Sequence, residues 1–398
     1  WARDTYGPLP GFICGWFYWI ALMPYFAGIL YFLSGLIVSA IGANAKNSFL
    51  FLGISIAISA FVIAFQIAGL KVGKWLTNFG AAGSWLIFLT ILAIAFFIAS
   101  RGASATSFFH ASYMPALNFD TAILWGSIVF AFSGAESIAF LRNDIAGGLR
   151  TILRVLLISG VSIVFVYIVG TAAFLVILPQ SDLTRLGGFP DALRVAFGRE
   201  GFGHYASIAI GLLAVAQLGG FTAWFGVGAR LPFAAGIDHF LPPLFARRNA
   251  KSGAPVAAIL LQGGLMLVMV LLSQAGSSVA AAYDFLVAMS VLTSTIPYLF
   301  MFAAYLKFAR AEDVPGAWHM PGGVRAALTV GVVGQCATVI AIACTLVPSS
   351  SEAHPLAAFL KIVLSTAVML AVGLLLYWLA AKRREAAQVS AMSAQGSQ

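Results

Sequence analysis

Glu136 stands inside an apolar run, in the stretch Phe130-Ala131-Phe132-Ser133-Gly134-Ala135-Glu136-Ser137. An acid at the centre of a membrane-crossing helix costs about 2.5–3.5 kcal/mol to insert, so it requires a partner or a task. Beside it, Ser133-Gly134 weakens helical continuity. Glycine costs roughly 1 kcal/mol relative to alanine, and serine competes for backbone hydrogen bonds. A helix interrupted here frees N–H and C=O groups to face a cavity, which is how carriers build midplane sites for small polar solutes. Two readings of Glu136 follow: a group that gates, couples protons or recognises cations, or a structural carboxyl bonded to a neighbouring helix.

Other polar groups in apolar stretches are weaker candidates. The run 203–229 holds Gln217, Gly219, Gly220 and Thr222 with Trp224 and Phe225. Small residues let helices approach closely. Alternatively Gln217, Thr222 and Trp224 line a cavity. Ser290, Thr293, Ser294 and Thr295 precede Pro297, whose missing N–H frees a carbonyl that hydroxyls can satisfy. Asp284 reads as an interfacial charge or an acid at a helix start. Cys14, Cys336 and Cys344 are scattered in apolar stretches, as small buried hydrophobes are. The five histidines, His110, His204, His239, His319 and His354, form no local cluster. The chain has no phosphate-binding glycine loop, no dinucleotide fingerprint and no His-Glu-x-x-His pair. No enzymatic activity, metal or cofactor is expected.

The elements that must hold these residues follow from composition. Of 398 residues, 61% are hydrophobic and only 9% charged, against about 25% charged in a soluble domain. That excess is tolerated only in lipid. Crossing the hydrocarbon takes about 20 apolar residues of helix, and ten such runs are present: 9–39, 48–70, 81–100, 121–141, 149–178, 203–229, 254–273, 282–308, 324–347 and 356–381. They are long and continuously apolar, so helices rather than barrel strands are expected. The fold class is all-α and polytopic, with a transmembrane domain over 1–381. The small, polar stretch 382–398 reads as a cytoplasmic, disordered tail.

Ten crossings place both ends on one side. With those ends cytoplasmic, sixteen of the 22 Lys and Arg fall on that side: twelve in the ends and in loops 71–80, 142–148, 230–252 and 309–323, and four at the adjoining span edges, Arg150, Arg154, Lys307 and Arg325. The other six are Lys46, Arg101, Arg185, Arg194, Arg199 and Lys361. This bias sets the orientation and accounts for the net charge of +9 without nucleic acid. Three of the six lie in 181–201, an external segment that reads as amphipathic and lying flat on the membrane. The expected location is the plasma membrane, the inner membrane in a bacterium.

Four blocks in order resemble the amino acid–polyamine–organocation permeases. Trp1-Ala2-Arg3, Tyr6-Gly7-Pro8-Leu9-Pro10-Gly11-Phe12, Gly15-Trp16 and Tyr18-Trp19 look like the approach into that family's third helix. Phe132-Ser133-Gly134-Ala135-Glu136-Ser137 resembles its broken sixth helix. Asp144, Arg150-Thr151-Ile152, Arg154 and Ile158-Ser159-Gly160 resemble the loop into the seventh. Ala229-Arg230-Leu231-Pro232-Phe233-Ala234-Ala235-Gly236-Ile237-Asp238, Leu241-Pro242 and Pro255 resemble the loop after the eighth. Gly147-Gly148 stand where the family often has Asn-Pro.

The resemblance implies an inverted-repeat permease fold with family helices three to twelve present and the first two missing. The chain is then expected to be a fragment, beginning at Trp1 in a cytoplasmic loop, that does not transport alone. It also implies solute binding at Phe130, Phe132, Ser133, Gly134 and Ala135, with an aromatic ring packing on the solute, and gating or proton coupling at Glu136. The implied function is secondary active transport of amino acids or related amines by alternating access, with protons or a counter-solute as partners. The run 81–100 has no lysine, so the variant using a fifth-helix lysine in place of sodium is not expected. Alternatives are a polyamine or organic cation carrier, and a membrane sensor that binds solute without moving it.

Overall fold

The structure, a computed structural model, describes residues 1–44, 46–68, 70–108, 119–141, 147–182, 187–234, 237, 240–246, 249, 252–275, 278–310, 320–347 and 355–395. Among these the regular elements are helices: lipid offers no partners, so backbone groups bond within each segment. They are α1 (Ala2–Tyr6), α2 (Pro8–Ile20), α3 (Leu22–Ala40), α4 (Ser48–Ala68), α5 (Leu70–Ser100), α6 (Phe119–Ala131), α7 (Gly148–Ile177), α8 (Gly188–Arg199), α9 (Ala206–Gly228), α10 (Leu231–Ala234), α11 (Val256–Gln274), α12 (Val279–Phe308), α13 (Gly323–Thr345) and α14 (Pro355–Gln395).

Nine helical stretches among the described residues are long and apolar enough to cross a bilayer. The tenth expected run, 121–141, is not one continuous helix. It stops at Ala131 and resumes as a 3-10 turn over Ala135–Leu141. Helices α2 and α3 together form a 33-residue span, Pro8–Ala40, that turns at Ala21. Pro24 explains the turn, because it lacks the N–H that would bond the Ile20 carbonyl and its ring crowds that carbonyl.

Three expectations are corrected here. The stretch 71–80, expected as a loop, is helical and belongs to α5. It has no proline to end the helix, and the apolar span proper begins at Asn78. The tail expected to be disordered continues α14 through Gln395. Its alanines, glutamines and basic residues are good helix formers extending a helix already nucleated in the membrane. Within 181–201, helix α8 turns its apolar face into the protein and not to lipid. Ala192, Leu193 and Ala196 of α8 are buried in a cluster with Leu36, Ile91 and Ile210. The rim of α8 is pinned by arginines. Arg194 bonds Ser39, Arg199 donates to the Ala103 carbonyl at 3.2 Å, and Arg101 pairs with Glu200 at 3.1 Å.

The cysteines are free thiols. Cys14 and Cys344 are half-buried, but Cys336 is exposed on α13, at variance with the buried role expected for it. Arg142, Asp144, Arg185, Arg247, Arg248, Lys251, His110, His239, His319 and His354 lie outside the described residues.

The main core lies where α3, α9, α11 and α12 meet, with Phe26, Phe221 and Phe225 in edge or tilted ring contacts and Met266, Leu286 and Met289 filling between them. Small residues set the closest crossing. A Cβ on Gly80 of α5 would lie 2.6 Å from the Ala216 carbonyl and 3.0 Å from Gly219 Cα. Ala216 and Gly219 therefore serve packing, whereas Gly220 faces open space. Two buried amides fix α9 laterally. Gln66 of α4 donates to the Thr222 carbonyl at 2.6 Å, and Gln262 of α11 donates to the Phe225 carbonyl at 2.8 Å.

Candidate functional site

The break in α6 has a local cause. Gly134 takes φ 102°, a region that L side chains avoid. The helical ladder is replaced by side chains. Ser133 donates to the Phe130 carbonyl through both N (2.9 Å) and Oγ (2.6 Å). Tyr167 of α7 donates its hydroxyl to the Ala131 carbonyl at 2.9 Å, and Ser137 Oγ donates to the Gly134 carbonyl at 2.6 Å. The Gly134 N–H is shared between Glu136 Oε2 and the Tyr298 hydroxyl, each at 3.0 Å. The interruption therefore does not leave these groups bare, because hydroxyls from α7 and α12 supply what the helix cannot.

Glu136 is half-buried at the start of the 3-10 turn. Its Oε1 accepts from the Tyr18 hydroxyl of α2 at 2.7 Å, while its Oε2 holds the Gly134 N–H. The carboxyl thus joins three elements: α2, the α6 break and, through Gly134 and Tyr298, α12. Hydroxyls stabilise a carboxylate without fixing it as a buried cation would, so the contact can open at moderate cost. One turn before Tyr18, Cys14 reaches the Pro297 carbonyl at 3.8 Å, the residue before Tyr298.

Next to the break, α6, α12 and α13 border a half-open cavity of about 150 Å³. From α6 it is lined by Val129, Phe130 and Ser133, from α12 by Ser294, Thr295, Tyr298 and Phe302, and from α13 by Gly334, Ala337 and Thr338. Its serine and threonine hydroxyls share one orientation, whereas the Tyr298 hydroxyl accepts from the Gly134 N–H. Ser133 donates to the Phe130 carbonyl, Ser294 to Ser290 (2.5 Å), Thr295 to Val291 (2.5 Å) and Thr338 to Gly334 (2.8 Å). With each proton so engaged, these oxygens keep acceptor lone pairs, while the wall around them is almost wholly apolar. The same back-bonding holds for Ser290 and Thr293, to the Leu286 and Met289 carbonyls. The hydroxyls before Pro297 thus bond carbonyls two to seven residues before that of Thr293, the one the proline frees.

The candidate residues are distributed unevenly. Phe130 and Ser133 line the cavity, and Gly134 and Glu136 form the bonded knot beside it. Phe132 and Ala135 turn to the outside. Phe132 is 46% exposed, with its ring edge-on to Tyr167 at 5.2 Å. The α9 candidates lie elsewhere. Thr222 is buried against Gln66, Gln217 is half-buried, and Trp224 is 43% exposed on the outer face. Sequence reasoning overlooked Tyr18, Tyr167 and Tyr298. The available signal was a tyrosine deep in an apolar span, whose hydroxyl must find a partner there.

Known proteins place this architecture. The family model described as "Amino acid permease" matches residues 1–382. An uncharacterized transporter of Legionella pneumophila is 24% identical over 354 residues, covering 88% of this chain and 76% of that protein. A probable agmatine/putrescine antiporter of Lactococcus lactis is 20% identical over 396 residues, covering 98% and 82%. A glutamate/gamma-aminobutyrate antiporter of the same species is 21% identical over 363 residues, covering 89% and 72%. With a match over nearly its whole length, a helical bundle of membrane-spanning elements and a broken helix among them, the chain is a multi-pass membrane transporter that belongs to the amino acid permease family of the amino acid–polyamine–organocation superfamily.

Proposed function

We propose that this transporter recognises its solute by a protonated amine beside the α6 break and moves it across the plasma membrane by alternating access. The observation that carries the reading is a largely apolar cavity, whose few polar atoms are acceptors, set beside the bonded carboxyl of Glu136. The cavity hydroxyls of Ser133, Ser294, Thr295 and Thr338 have donated inward to carbonyls, and the neighbouring ionisable group is the Glu136 carboxyl. An arrangement of acceptors suits N–H donors and a positive charge. Phe130, on the cavity wall, gives the carbon skeleton an aromatic surface. Agmatine, putrescine, glutamate and gamma-aminobutyrate, named for two relatives, share a protonated nitrogen. A diamine or an amino acid therefore fits, and exchange against a second amine or protons supplies the coupling.

Glu136 has the gating role. When its bonds to Tyr18 and Gly134 are made, α2, α6 and α12 are held together and the path is closed at that level. A solute amine or a proton that satisfies the carboxylate weakens those bonds and favours the open arrangement. Orientation follows the charge bias, with both chain ends cytoplasmic.

The test is uptake by proteoliposomes containing the carrier expressed from its whole gene, preloaded with unlabelled amine. Labelled putrescine, gamma-aminobutyrate and glutamate should enter by exchange, each competed by primary amines and not by carboxylates lacking a nitrogen. Saturable binding without accumulation would instead identify a sensor. Equal competition by amine-free carboxylates would sink the amine assignment.

A further inference from the structure

We infer that Phe302 and Gly334 form the floor of the cavity and set how long a solute it accepts. The inference rests on the amine reading above and adds its size limit. Phe302 lies one turn beyond Tyr298 on α12, about 6 Å further along the helix axis. Its ring sits 6.3 Å from that of Tyr298. On its other side is Gly334 of α13, and both residues line the cavity. A Cβ on Gly334 would lie 2.3 Å from Phe302 Cε1, 2.5 Å from Cζ and 2.8 Å from Cδ1. The ring therefore occupies the space that any larger residue at 334 would need. With Tyr298 bounding one side, a methyl at 334 turns the ring toward the open space both residues share, which is the cavity.

The polar features lie at the other end. Ser133, the Gly134–Glu136 knot and the Tyr298 hydroxyl are where an amine is held, and Phe302 faces what extends beyond it. The bare Cα of Gly334 is then what keeps the cavity long. Discrimination by an apolar wall is modest but measurable, one methylene being worth about tenfold or more in specificity. Phe302 and Gly334 are thus specificity-determining residues, while the amine end is common to all solutes.

The test is exchange of labelled α,ω-diaminoalkanes, from the propane to the hexane member, in proteoliposomes. Gly334→Ala should lower the ratio of longest to shortest diamine by at least about tenfold, and Phe302→Leu should raise it. The double variant should return toward the wild-type profile. If Gly334→Ala fails to fold, Phe302→Leu alone decides, because it relieves crowding. Thr338→Val, one turn beyond Gly334 on α13, removes a cavity hydroxyl at nearly constant side-chain volume and so separates the two layers of the argument. If Thr338→Val alters amine exchange while Gly334→Ala and Phe302→Leu leave the chain-length profile unchanged, the floor assignment is wrong and the amine site survives. If none of the variants changes the exchange of any diamine, the cavity is not the solute site and both fall.

Discussion

The Tyr18 hydroxyl donates to Glu136 Oε1 at 2.7 Å, although 118 residues separate the two along the chain. This bond closes α2 onto the lower half of the broken helix. Hydrogen bonds to charged groups contribute about 1.5–3 kcal/mol, and Tyr18→Phe removes one while preserving the ring. The variant should favour the open arrangement by about tenfold or more. Cys14, half-buried one turn away, reports it. With Cys336 and Cys344 replaced by alanine, alkylation of Cys14 should accelerate about tenfold in Tyr18→Phe. An unchanged rate would mean the bond does not govern access.

Glu136→Gln keeps an acceptor for Tyr18 but removes the charge and the titratable proton. Exchange of amines should fall by at least about tenfold or lose its pH dependence, with protein yield and thermal unfolding preserved. The measurement is initial rate across a pH series. Wild-type rates with a wild-type profile would reduce Glu136 to a structural residue.

Tyr167 is the bridge from α7 to the α6 break, through its bond to the Ala131 carbonyl and its ring edge against Phe132. Side-chain hydrogen bonds inside membranes average about 0.6 kcal/mol and reach about 1.7. Tyr167→Phe should therefore slow maximal exchange by about 3- to 20-fold while leaving KM within about twofold, because the two helices lose their tie and the solute contacts remain. A change confined to KM would place Tyr167 in the binding surface instead.

Orientation is open to a direct check. Lys46 and Arg383 are both exposed and fall on opposite sides in the charge-based topology. With native cysteines replaced, Lys46→Cys should react with an impermeant maleimide added to intact cells, and Arg383→Cys should react only after permeabilisation. Equal reactivity from outside overturns the assignment.

The bundle and its break were legible because lipid makes both explicit. Long apolar runs admit little but helix, and Ser133-Gly134 beside an acid is a local signal of interruption. Stretch 71–80 and the residues after 381 were misread for one reason: charge and polarity mark where a membrane ends, whereas a helix ends only where its backbone is stopped. The partners of Glu136 were beyond the sequence because Tyr18 and Tyr298 reach it through tertiary packing, which no spacing along the chain encodes. Trp224 illustrates the converse. Four residues beyond Gly220 it looked like a cavity wall, but the side of α9 facing the core belongs to Phe221 and Phe225.

The two amides on α9 constrain its mechanics. Gln66 and Gln262, both buried, grip carbonyls three residues apart, from two different helices. Sliding α9 by one residue would displace each carbonyl by about 1.5 Å and swing it about 100° around the axis, breaking both grips at once with nothing to replace them. Screw and piston motions of α9 against α4 and α11 are thereby discouraged, and the four helices α3, α4, α9 and α11 behave as one stiff plate. Whatever tilts during a transport cycle must pivot on the faces of that plate where the contacts are glycine to backbone, as at Gly80 and Gly219, and where rolling leaves no polar atom stranded.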